Sequence, residues 1–191
     1  MPEQKDLELL IHGHTPILQI ETHEEKRALD LLVRIATHNT IPLFQWSVTE
    51  GLRRVDIDLG IQRHNAEPKD LLGHIKSSNV DGLYVLLDFD HYIQDPVNER
   101  FIKEIAMKFE GTSNKLIFIS HHIDMPAGLV KRVARFDLKL PDSKALESLV
   151  RDEAGKWQIE SNNKVSTDKK TLQRLVRNLG GLTYNDARRL I

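Results

Sequence analysis

Two carboxylates close the apolar run Leu83-Tyr84-Val85-Leu86-Leu87: Asp88 directly, and Asp90 after Phe89. A carboxylate at the end of a buried strand can hold a hydrated Mg²⁺, and carboxylates grouped with histidines can bind a metal or act as acid and base. His91 follows Asp90, and Ser120, His121 and His122 close a second apolar run that begins at Lys115. If the two runs are neighbouring strands of a parallel sheet, these groups share its carboxyl-terminal edge, where α/β folds bind ligands. Such an edge could serve a ligand-binding or metal-dependent hydrolytic domain. Arg132 and Arg135 lie further on, and a guanidinium there could neutralise charge on a phosphoryl group. Plainer alternatives stand beside each: Asp88 capping the turn before His91, and the arginines in surface ion pairs with Asp137 or Asp142.

The partner that phosphate chemistry needs is missing. A phosphate cradle requires Gly-x-x-x-x-Gly-Lys-Ser/Thr, because backbone N–H groups must wrap the anion and a lysine must neutralise it. None of the ten glycines starts that pattern. After the first predicted strand, Glu21 runs into Thr22-His23-Glu24-Glu25. Thr22 and Glu25 have the spacing of a capping box, and Glu24 and Glu25 put negative charge where a phosphate would sit. The residue after Asp88 is Phe89, which offers no second carboxylate at that position. No catalytic residue and no metal site is therefore assigned, and no nucleotide is expected on this chain.

Composition narrows the remaining classes. There is no cysteine, which excludes disulfides and thiolate metal sites and fits a reducing, cytoplasmic setting. Neither Gly-x-Ser-x-Gly nor His-Glu-x-x-His occurs. The amino terminus is polar and acidic, unlike a signal peptide, and no apolar run approaches the roughly 20 residues of a membrane helix. Net charge is −1, so no global basic field invites nucleic acid. The ends differ: residues 1–141 carry 17 Lys+Arg against 21 Asp+Glu, a net of −4, and residues 142–191 carry 10 against 7, a net of +3. A basic helical end suggests an acidic partner surface, or simply a solvated face. Trp46 and Trp157 read as packing residues rather than stacking platforms.

The elements that must position these groups alternate. Strands are predicted at 16–21, 42–48, 82–88, 115–120 and 136–140, with helices at 6–12, 22–37, 67–76, 95–109 and 126–135. Residues 53–62 are ambiguous and could form a hairpin arm after Gly51. Asp95-Pro96 is a strong helix start. This alternation predicts a five-stranded parallel α/β sheet with helices on both faces. After Pro141-Asp142 only helices follow, at 143–157, 168–178 and from Thr183, with a polar linker at 160–166. The domains are thus 1–141, an α/β core, and 142–191, a small helical subdomain. The last helix is still running at Ile191, which suggests one piece of a longer protein.

The order of parts resembles the AAA+ layout. Leu83–Asp88 is similar to the Walker B strand, and Ser120, His121 and His122 occupy the place of the sensor strand. Residues 127–137, Ala-Gly-Leu-Val-Lys-Arg-Val-Ala-Arg-Phe-Asp, resemble the stretch that carries arginine fingers, which makes Arg132 and Arg135 finger-like candidates. Gly181-Leu182-Thr183-Tyr184-Asn185-Asp186-Ala187 resembles the start of the last lid helix. More narrowly, residues 16–25, 46–51 and 83–89 resemble the AAA ATPases of algal plastid genomes, cyanobacteria and other bacteria, in which this region precedes a complete ATPase domain. The resemblance implies a degenerate, non-hydrolytic AAA+-like amino-terminal region serving assembly, regulation or partner binding. It further implies that ATP and Mg²⁺ belong only to a carboxyl-terminal ATPase domain, and that the partners are this domain and neighbouring subunits. A stand-alone protein–protein adaptor is the other reading.

Overall fold

Strand β4 (Leu83–Leu87) is buried at every position, as both faces of a covered parallel sheet require. The computed structural model, which describes residues 2–55, 65–161 and 168–191, sets β4 beside β2 (Leu43–Ser47) and β5 (Lys115–Ser120). With β1 (Ile17–Glu21), β3 (Gly51–Arg54) and β6 (Val133–Phe136), the sheet runs β3-β2-β4-β5-β1-β6. Five of these strands are parallel, as expected. The sixth, β3, pairs antiparallel with β2, so the sheet is six-stranded and mixed rather than five-stranded and parallel. Gly51 makes the hairpin possible with a φ of 73°, a left-handed conformation that costs a residue with a side chain. Residues 56–62 of the anticipated arm lie outside the described residues.

Alternation along each strand divides the core. Ile17, Tyr84, Leu86, Leu116 and Phe118 face one layer, with Leu71 and Ile75 of α3 (Pro68–Ser77), Ile93 of the short α4 (Asp90–Ile93), and Ile102, Ile105 and Phe109 of α5 (Pro96–Phe109). Leu18, Ile20, Val85, Ile117 and Ile119 face the other, with Leu7 and Ile11 of α1 (Pro2–His12) and Leu31, Leu32 and Ile35 of α2 (Glu25–Asn39). Asp95 caps α5, its Oδ1 accepting from the N–H groups of Val97 and Asn98 at 2.9 and 3.1 Å, ahead of Pro96 at the first helical position.

Close backbone approach fixes where β4 begins. A Cβ on Gly82 would stand 2.6 Å from the Pro42 carbonyl oxygen and 3.0 Å from the Phe44 ring. Gly82→Ala is expected to cost about 1–3 kcal/mol through this overpacking, read as a lower urea midpoint at unchanged slope; an unchanged midpoint would show that the backbone yields freely.

The stretch 126–135 is not the predicted helix. A single 3₁₀ turn, Val130–Arg132, leads into β6, three residues earlier than the predicted strand. β6 pairs in parallel with β1, Ile17 opposite Val133 through Ile20 opposite Phe136. The second edge of β1 would otherwise leave buried amides and carbonyls unpaired, and this demand outweighs local helix propensity. Arg135 consequently sits on a strand, opposite Gln19.

The chain divides into two compact units, Met1–Leu138 and Lys139–Ile191. In the second, α6 (Ser143–Ser161), α7 (Lys169–Asn178) and α8 (Tyr184–Leu190) share a small core of Leu146, Val150, Leu172, Val176, Leu179 and Ala187. Helix α6 extends through the first part of the anticipated linker, and residues 162–166 lie outside the described residues. Asp168 and Thr183 cap α7 and α8, with the Asp186 N–H donating to Thr183 Oγ1 at 3.1 Å. Trp157, read as a packing residue, is 55% exposed beside a cleft of about 450 Å³. No helix among the described residues is long and apolar enough to cross a membrane.

Candidate functional site

Because β1, β4 and β5 are adjacent and parallel, their carboxyl ends gather the candidate side chains. The centre is Ser120. Its Oγ donates to Asp90 Oδ1 at 2.7 Å, lies 3.3 Å from Asp88 Oδ1, and stands 3.4 Å from Nδ1 of His121. His91 Nδ1 is 3.8 Å from Asp90 Oδ2. His122 turns the other way, its Nδ1 3.5 Å from Glu21 Oε1. The anticipated edge is therefore split, and His91 and His122 are mostly exposed. Among the described residues no three His, Asp or Glu side chains converge as a metal ion requires.

Asp88 is exposed and leaves β4 with φ at 49°, a left-handed turn that Asp tolerates better than most residues. This turn sends Phe89 inward, where it is 1% exposed. Its ring centroid lies 5.3 Å from Trp46, 5.6 Å from Tyr92 and 5.8 Å from Phe118. Trp46 is itself buried, and its Nε1 donates to the Asn65 carbonyl at 2.8 Å. The place of a hydrolytic glutamate is thus the middle of an aromatic core.

The connection from β1 to α2 holds only residues 22–24. Thr22 N–H donates to the Ser120 carbonyl at 2.8 Å, and Glu24 N–H to Thr22 Oγ1 at 2.9 Å. The predicted Thr22–Glu25 capping box does not form, because the helix starts at Glu25 and Thr22 Oγ1 is engaged one residue before it. Glu24 is 4% exposed, with Oε2 2.8 Å from Arg27, whose other nitrogen meets Glu3 at 2.7 Å. His23 stacks on His121 with centroids 6.1 Å apart. Burial raises the Glu25 carboxyl above the ordinary range, and the nearby Asp88 carboxylate raises it further. The field here is negative, and the amides of Thr22 and Glu24, which a cradle would aim at phosphate, are spent inside the protein.

A clasp escaped the sequence reading. Glu21 Oε1 accepts from Gln19 Nε2 at 3.0 Å and from the Ile123 N–H at 2.8 Å, and Gln19 Nε2 also donates to the Ile123 carbonyl at 3.0 Å. It pins the chain after His121 and His122 to β1. The signal was present: Gln19 and Glu21 interrupt an otherwise apolar strand. The arginines differ. Arg132 Nε is 2.9 Å from Glu110 Oε1 rather than beside Asp137 or Asp142, because the turn before β6 faces the end of α5. Arg135 is exposed on β6.

Comparison with known proteins agrees with this fold. The family model described as SpoVK-like AAA ATPase, N-terminal domain, matches residues 3–138, and that of the second domain matches residues 144–191. The AAA domain-containing protein ycf46 of Pyropia yezoensis is 29% identical over 141 residues, which cover 72% of this chain and 28% of that protein. Its namesake in Guillardia theta is 24% identical over 98% of this chain and 36% of its own length. The chain thus spans about a third of the curated relatives it matches. Among solved structures, the FIGL-1 AAA domain in complex with ADP superposes with a TM-score of 0.58 at 12% identity, over 93% of this chain and 59% of that one. C. elegans PCH-2 gives 0.55 at 12% identity, over 98% and 57%. At such identities the likeness is one of fold.

Proposed function

Since this chain belongs to the SpoVK-like AAA ATPase family, and matches the models of its N-terminal and second domains, we propose that it is a non-hydrolytic AAA+-like module of a longer AAA ATPase. It serves assembly, regulation or partner binding. The observation that carries this reading is the three-residue link between β1 and α2, closed by its own hydrogen bonds where a phosphate cradle would lie. Phe89 in the aromatic core supports it, because the position directly after Asp88 holds no carboxylate to polarise a water. In this reading ATP and Mg²⁺ belong to another domain of the same protein, and the partners are that domain and neighbouring subunits. The short share of the relatives' length that the chain spans is consistent with such a division. Of the two finger-like arginines, Arg135 has the exposure needed to reach a neighbouring subunit, whereas Arg132 is engaged by Glu110.

The direct test is thermal unfolding of the chain with millimolar Mg·ATP or Mg·ADP. A site filled at 100 times its dissociation constant adds about 2.7 kcal/mol, an unmistakable rise in Tm. The expected result is no rise with either nucleotide. A clear rise would overturn the reading and direct mutagenesis to Asp88, Asp90 and Ser120.

A further inference from the structure

Helix α7 carries Lys169, Lys170, Arg174 and Arg177 and no acidic residue. At 100° per residue these four cations and Gln173 fall on one arc of about 140°; the buried Leu172 and Val176 lie outside it, Val176 about 20° beyond Lys169. All five are exposed. The other helices of the same unit treat their charges differently. Arg151 pairs with Glu147, Lys156 and Arg188 with Glu153, and Arg189 with Asp186. None of the four cations of α7 has an ion pair among the described residues.

The arrangement works against the helix that carries it. Lys169 and Lys170 stand in the first turn, where the helix dipole disfavours positive charge. Lys170 and Arg174 are like charges four residues apart, and Arg174 and Arg177 three apart. Among the described residues, the Asp168 cap and the place of Arg177 in the last turn offset only part of this. A local rule broken without a structural return marks a surface kept for something else.

We propose that this face of α7 docks a short run of Asp and Glu carboxylates on a partner protein. The two arginines offer planar forks that match carboxylates, and the two lysines add mobile charge at one end. From Lys169 to Arg177 the helix rises about 12 Å, the reach of roughly four extended residues. A nucleic acid fits less well. The arc has no aromatic residue on which bases could stack, and a phosphate polymer extends past the patch along a chain whose net charge of −1 offers no further attraction. The inference is independent of whether the α/β unit binds nucleotide.

The test is fluorescence anisotropy of a labelled ten-residue poly-glutamate peptide with the full chain at about 50 mM salt, where screening is modest. Saturable binding is expected, at least tenfold weaker at 300 mM salt and at least tenfold weaker in the K169Q/K170Q/R174Q/R177Q variant. Lys144→Gln with Arg151→Gln, which removes two cations from α6, should leave binding within twofold. The α7 variant should melt no lower than the parent, since it loses only unpaired, mutually repelling charges. Should it unfold nonetheless, the R174Q/R177Q pair alone carries the test, with at least threefold loss expected. Absence of peptide binding, equal binding by the α7 variant, or tighter binding of a ten-base DNA strand or duplex would each overturn the proposal.

Discussion

Phe89→Glu is expected to destabilise the α/β unit by at least about 3 kcal/mol without producing any ATP hydrolysis. The substitution rebuilds, letter for letter, the acid pair that an active Walker B strand would carry after Leu87. The structure says what this would do. Phe89 is 1% exposed and touches Trp46, Tyr92 and Phe118. Removing the ring forfeits the transfer energy and leaves a cavity, and the carboxylate must then ionise beside three aromatic rings or stay protonated. Total stabilities of 5–15 kcal/mol are typical, so a loss of this size is a large fraction. Urea unfolding of the purified chain reads the loss, and phosphate release with Mg·ATP reads the chemistry. Phe89→Leu keeps the position apolar and should lose less. If Phe89→Glu kept the parental midpoint, Phe89 would not be a core residue and the degenerate reading of this strand would fail.

Lys115→Met is expected to raise stability by about 1–3 kcal/mol, the usual cost of a buried donor left without a partner. Lys115 opens β5, pairs in register with Leu83 and is 1% exposed. Strand alternation puts it on the face of Ile117, towards α1 and α2. Its Nζ is buried and makes no hydrogen bond among the described residues. Burial therefore pushes its pKa below the ordinary lysine value of 10.5. The unfolded chain binds this proton more tightly than the folded one, so the penalty is fully present below the folded pKa and fades as pH rises from there towards 10.5. The advantage of Lys115→Met should accordingly be largest at neutral pH and shrink in alkaline buffer. Urea midpoints at pH 7 and pH 9.5 for both proteins measure this. A variant less stable than the parent would show that the aliphatic stem or an unseen partner of the ammonium matters more than the bare charge.

Several elements could be read from residues alone because one local interaction decides them. Asp95 and Pro96 begin α5 since an acceptor and a preset φ are both in place. The bounds of β5 were read without error, since its apolar run is closed by Asn114 on one side and His121 on the other. Elements decided by distant partners were read less well. The stretch 126–135 has a helical composition but borders the open edge of β1, and its last three residues became strand. The Thr22–Glu25 box has the right spacing, yet Thr22 is held by Ser120 from another strand and α2 starts later. In the candidate site, Ser120 with Asp88, Asp90 and His121 were brought together as the parallel sheet implied. His122 was drawn off by Glu21, a residue whose importance depends on Ile123, 102 positions away.

By itself the sequence determined what this protein lacks and how its parts are ordered. A missing glycine-lysine loop, a phenylalanine after Asp88 and an absence of cysteine are facts of composition and spacing that folding does not alter. Only the tertiary structure decided which groups meet. It placed Phe89 in a core rather than beside water, split the histidines between Asp90 and Glu21, and, among the described residues, left Lys115 without a hydrogen-bond partner and the cations of α7 outward without ion pairs. Those outcomes depend on contacts between residues far apart in the chain, whose free energies are set by burial and geometry together.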